Sequence, residues 1–153
     1  MFKIAIFAFF VLVLPFPAMI SGANAATVGD KKTHHVVIQV DTDDPATMRI
    51  ALGNSLNAKN YYDSKGEKLV LEIVAYGPGI TMLRSDTSPV KDQIEGVRTS
   101  IPGITLSMCN NSKEATEKRE GKTIIPLPGV QVVPAGIVRV VELQEQGYSY
   151  VRP

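Results

Sequence analysis

Apolar residues along the chain fall into short runs separated by polar, glycine-bearing and proline-bearing connections, and two periods alternate. His34-His35-Val36-Val37-Ile38-Gln39-Val40 is β-branched and apolar almost throughout, which predicts a central strand covered on both faces. Asp44 then caps a predicted helix and Pro45 takes its first position. Met48, Ala51, Leu52, Leu56 and Ala58 mark its buried side as far as Tyr62, and Gly66 closes the connection. A second apolar run, 69–76, reads as a strand and stops at Gly77-Pro78-Gly79, a backbone able to turn tightly and approach a ligand closely. Ser88 and Pro89 predict the start of a helix whose Val90, Ile94, Val97 and Ile101 share a face, with Gly103 ending it.

The third strand is predicted over 104–108 and delivers Cys109 at its C-terminal end. Residues 112–122 are charged and helix-compatible, while 124–129 carry two prolines and read as an irregular connection. A short strand over 130–133 precedes Pro134-Ala135-Gly136. The spacing of Ile137, Val138, Val140, Val141 and Leu143 suits a buried helix stopped by Gly147, and 148–151 form a last short strand. Strand alternating with helix predicts parallel βαβ units, hence an α/β, three-layer α/β/α sandwich around one sheet. Ligands of such sheets bind beyond the carboxyl ends of the strands. That rule puts Asp41, Asp43, Gly77, Pro78, Gly79, Cys109, Asn110 and Asn111 on the functional edge and His34 and His35 at the opposite one.

The N-terminus changes the picture of where the protein works. Lys3, an apolar stretch from Ile4 to Ile20 and Ala23-Asn24-Ala25 have the form of a cleaved export signal. The stretch is at the short end for a spanning helix and is interrupted by Pro15 and Pro17. The expected organisation is a signal peptide over 1–25, a linker over 26–33 and one domain over 34–153, in the periplasm. The whole chain carries 16 Lys+Arg and 15 Asp+Glu, so loss of Lys3 leaves it neutral. Neutrality without a basic stripe argues against nucleic acid, and against a membrane once the signal is removed.

An exported chain with one cysteine cannot form an internal disulfide, so Cys109 is buried and inert, paired between chains, or chemically employed. Free cysteine is among the most buried residue types, which is the structural reading. In the chemical reading, a helix starting near Asn110 to Ser112 aims backbone N–H groups at the sulfur and favours the thiolate. Such a thiolate can attack a sulfane sulfur and hold it as a persulfide, with amides of the Gly77 to Gly79 loop alongside. A cysteine hydrolase needs a nearby histidine, and His34 and His35 are expected roughly 20 Å away, a full strand length. They read instead as an exposed start to the first strand. No ligand spacing for a metal is visible, the aspartates lack the glycine and glutamate of a calcium loop, and no cofactor is implied. Asp41 is expected as a wall of the site.

Taken together, His35-Val36-Val37-Ile38-Gln39-Val40, Ala51-Leu52-Gly53-Asn54-Ser55-Leu56-Asn57, Glu72-Ile73-Val74-Ala75-Tyr76-Gly77-Pro78-Gly79, Cys109-Asn110-Asn111-Ser112, Val133-Pro134-Ala135-Gly136 and the stretch from Leu143 to Pro153 resemble the DsrE/DsrF-like sulfur-relay family, in its exported stand-alone branch. The resemblance implies a five-stranded, mainly parallel sheet, homo-oligomers, and a sulfur carrier or sulfurtransferase whose acceptor is Cys109. It implies a sulfur donor or acceptor protein as partner. Ser112 stands where the family often has threonine, which keeps the hydroxyl. The alternative is a non-enzymatic, oligomeric small-ligand-binding module in which Cys109 only packs; a disulfide between protomers through Cys109 is a third possibility.

Overall fold

Five strands, all parallel, build one sheet in the order β4-β3-β2-β1-β5 in the computed structural model, which describes residues 31–153. The expected signal peptide, 1–25, and most of the expected linker, 26–33, lie outside the described residues. Strand β1 (Thr33–Val40) pairs with β2 (Lys68–Ala75) over its whole length, and β2 with β3 (Thr105–Cys109). The short strands β4 (Gln131–Val133) and β5 (Ser149–Val151) form the edges. Helices α1 (Pro45–Ser64), α2 (Lys91–Ser100), α3 (Asn110–Glu120) and α4 (Gly136–Glu145) connect successive strands. The α/β architecture predicted from the alternating pattern is the one observed.

Strand alternation divides the core. Ile38, Val40, Leu71, Ile73, Leu106 and Met108 point to one face and bury against Met48 and Leu52 of α1 and Ile94 and Val97 of α2. Val37 and Val74 point to the other face and meet Val140 and Leu143 of α4. The first three crossovers step along the sheet in one direction, whereas the β4-to-β5 crossover returns across it, and right-handed connections then send α4 to the opposite face. Thus one helix alone covers the second face.

Several boundaries differ from the sequence reading. Ser88 does not cap α2: its hydroxyl donates to the Met82 carbonyl at 2.6 Å, and Val90 is the N-cap. The Gly77-Pro78-Gly79 segment is not a simple turn but opens a 3-10 helix, Gly77–Leu83. Helix α3 begins at Asn110, within the expected start near Asn110 to Ser112 and directly after β3. Helix α4 is only half buried, since Ile137, Val138 and Val141 are exposed. The histidines are not an exposed start to β1: His34 stacks on Tyr62 at 3.8 Å and contacts Glu67 Oε2 at 2.7 Å, and His35 packs edge-on against Tyr148.

Candidate functional site

Two glycines let three backbone segments converge at the carboxyl end of the sheet. A Cβ on Gly79 would lie 2.1 Å from the Val40 carbonyl oxygen, so only glycine allows the 3-10 helix to lie against the end of β1. A Cβ on Gly136 would lie 2.6 Å from Tyr76 Cβ, so the N-terminus of α4 approaches the end of β2 closely for the same reason. Gly77, at φ 53°, reverses the chain after Tyr76. The adjacency of β2 and β3 sets this loop beside Cys109, as the consecutive βαβ reading anticipates.

Cys109 ends β3 and is the N-cap of α3; the Ser112 amide donates to its sulfur at 3.4 Å. The residue is 4% exposed and joins the core cluster. Burial pushes the thiol pKa up, but the Ser112 hydroxyl and the amides of Gly136, Ser112 and Asn111 outweigh it, and the pKa lies below its ordinary value. The cause is positional: the sulfur sits between the starts of α3 and α4, where amides without an intrahelical partner and both helix dipoles favour negative charge.

Ser112 links the thiol to the glycine loop, because its Oγ accepts the Gly77 N–H at 2.8 Å. The loop therefore acts on the sulfur through Ser112 and not by its own amides: Pro78 has no N–H and the Gly79 N–H donates to the Tyr76 carbonyl at 3.0 Å. Asn111 N–H also donates to the Pro134 carbonyl at 3.3 Å, tying α3 to the segment before α4. Asn110 turns outward, its Nδ2 donating to Glu114 Oε1 at 2.7 Å. Asp41 accepts from Gln39 Nε2 at 2.8 Å and Arg152 Nη2 at 3.4 Å, with Tyr150 O–H donating to Gln39 Oε1 at 2.7 Å. Its charge, after burial, helps hold the Tyr76 phenol above its usual pKa.

An open cleft of about 630 Å³ lies between the 3-10 helix and α3, lined by Asp43, Gly77, Pro78, Thr81, Asn111, Ser112 and Arg119 among others. It reaches Ser112 and Gly77, while Cys109 is not part of its wall. Its floor is stiffened by Arg84, 4% exposed, which donates to both carboxylate oxygens of Asp86 and of Glu120. A second cavity of about 480 Å³, beside His34, Tyr62 and Val151, is at the opposite end of β1 and remote from the thiol. Among the described residues no group of three or more His, Cys, Asp or Glu could hold a metal ion.

Sequence reasoning missed Gly136 as a contributor to the thiol's environment and missed the buried pair beneath it. Glu72, 3% exposed, accepts from Ser107 Oγ at 2.6 Å and from Arg139 at 2.8 and 2.7 Å, pinning α4 to the sheet. Proline followed by Ala-Gly just before an apolar helical pattern was the available signal for the first; nothing local announces the second.

No protein-family model matches the chain, and no curated protein matches it. Among solved structures the chain is similar to MTH1491 of Methanobacterium thermoautotrophicum, described as a protein of unknown function. The two are 27% identical with a TM-score of 0.62, over 81% of this chain and 100% of that one.

Proposed function

We propose that the protein is an exported sulfur carrier or sulfurtransferase of DsrE/DsrF-like type, with Cys109 as the sulfur acceptor. The observation that supports this best is the sulfur's position between two helix starts, with its pKa lowered in spite of burial. In the reaction, the Cys109 thiolate attacks the outer sulfur of a sulfane donor such as thiosulfate. The Cys109 S–S bond forms, the donor S–S bond breaks, and sulfite leaves with the electron pair. Cys109 then holds a persulfide anion, which the same amides and the Ser112 hydroxyl stabilise as they did the thiolate. The cleft beside Ser112 is where the donor would approach. Exposed Ile137, Val138 and Val141 on α4 fit a protein that self-associates, and the leader fits export to the periplasm.

The test is intact-mass analysis after incubation with polysulfide. A gain of one sulfur that dithiothreitol removes, absent in Cys109→Ser, is the expected result; a native protein that stays unmodified rejects the proposal.

A second reading has an observation of its own. Cys109 is only 4% exposed and serves as a helix cap, which fits a small-ligand-binding module in which the residue merely packs. Under that reading Cys109→Ser, which preserves a capping atom, leaves ligand binding and physiological function unchanged.

A further inference from the structure

The amino end of the sheet, remote from Cys109, gathers lysines that the sequence keeps about thirty residues apart. Thr33 is in register with Lys68, whose N–H donates to the Lys32 carbonyl at 2.9 Å. Lys31, Lys59 and Lys68 border one shallow depression. Among the described residues the acidic groups there are already engaged, Glu67 with His34 and Asp63 with Lys59. Lys31, Lys32, Lys65 and Lys68 are exposed and make no salt bridge among the described residues. Asp41, Asp43 and Asp44 lie at the other end of β1. Overall neutrality therefore conceals a molecule with a basic end.

We propose that this lysine-bearing end docks on an anionic bilayer surface. Two observations favour a bilayer over other anionic partners. Tyr61 is 56% exposed with Lys65 Nζ 4.9 Å above its ring, and tyrosine beside lysine is the pairing suited to a headgroup layer. Among the described residues at this end, Tyr62 is stacked on His34 and Lys65 lies over the Tyr61 ring, which leaves little ring face for nucleobases. The docking surface is independent of the Cys109 chemistry.

The test uses protein beginning at Ala26, which keeps every strand and helix described above, in flotation assays with vesicles. Binding is expected to phosphatidylcholine vesicles containing phosphatidylglycerol, not to phosphatidylcholine alone, and to vanish at high salt. Each of Lys65→Gln and Lys68→Gln should weaken it about fivefold and the pair about 25-fold, at ~5-fold per lysine. Lys118→Gln, on α3, serves as the unchanged control, and far-ultraviolet circular dichroism confirms that each variant is folded. Absence of binding to the anionic vesicles, equal binding to neutral ones, or indifference to the double variant overturns the proposal. So does binding to a single-stranded oligonucleotide without binding to anionic vesicles.

Discussion

The Ser112 hydroxyl accepts the Gly77 N–H at 2.8 Å, which leaves its single proton free to face Cys109. This relationship makes a loop 32 residues upstream part of the thiol's environment without any direct contact from the loop to sulfur.

Ser112→Ala is expected to raise the Cys109 pKa, because the thiolate loses the hydroxyl's hydrogen bond while the amides remain. The pH dependence of iodoacetamide alkylation of the folded protein measures it. An unchanged profile would mean that the hydroxyl does not serve the sulfur. Because the folded thiol pKa is depressed, the thiolate's contribution to stability is complete above the unfolded pKa and is lost as pH falls through the folded one. The urea midpoint of the wild type should therefore gain on that of Cys109→Ser as pH rises through that window.

Gly136→Ala should shift the start of α4 away from Tyr76 and, with it, one amide away from Cys109. The predicted signature is a raised thiol pKa together with a loss of roughly 1–3 kcal/mol of stability from overpacking. Tyr76→Gly in the same chain removes the Cβ that the added methyl would meet and should restore part of both. Gly79→Ala meets a backbone carbonyl instead and is expected to prevent folding, seen as insoluble expression.

Arg139→Met removes the guanidinium from a carboxylate that is almost wholly buried, leaving Ser107 as its remaining partner. A loss of roughly 3–5 kcal/mol in urea unfolding is expected. Replacing both members, Arg139→Met with Glu72→Leu, should recover much of it; a double variant as weak as the single one would show that the pair does more than neutralise itself.

Around Arg84 the prediction concerns acid. Hydrogen bonds from the Arg84 guanidinium, then from the Lys122 ammonium, hold the Asp86 carboxyl below its usual range, and Arg84 lowers that of Glu120. Groups with depressed folded pKa values stabilise above their unfolded pKa and lose that effect as pH falls through the folded one. The thermal midpoint should drop below about pH 4, the ordinary carboxylate range, and Asp86→Asn should flatten that drop. An equally steep acid limb in the variant would locate the lability elsewhere.

What was legible in the sequence follows from how each element is stabilised. Strands β1 and β2 carry mostly apolar residues because each is flanked by strands and covered by helices, and α1 displays its Asp44 cap and Pro45 start openly. The alternation of these elements was enough for the α/β architecture. Ser88 misled because a serine before proline has the form of a cap, whereas here its hydroxyl satisfies Met82. Helix α4 misled because its apolar residues exceed what one face of a sheet can cover. Cys109 and Ser112 could be placed at the edge from spacing alone. The Gly136 amide and the Glu72–Arg139 pair could not, since the contacts depend on which face the last crossover takes.

The strand order has one consequence for how the molecule comes into being. The final strand, Ser149–Val151, lies against the first, at Val36 to Ile38, so the first and last strands of the described chain are neighbours in the finished sheet. A nascent polypeptide that lacks its last few residues leaves one side of β1 without its neighbour, its amides and carbonyls unanswered there. Completion of the sheet must await residues 149–151, and without them β1, otherwise an inner strand, would itself stand at the margin.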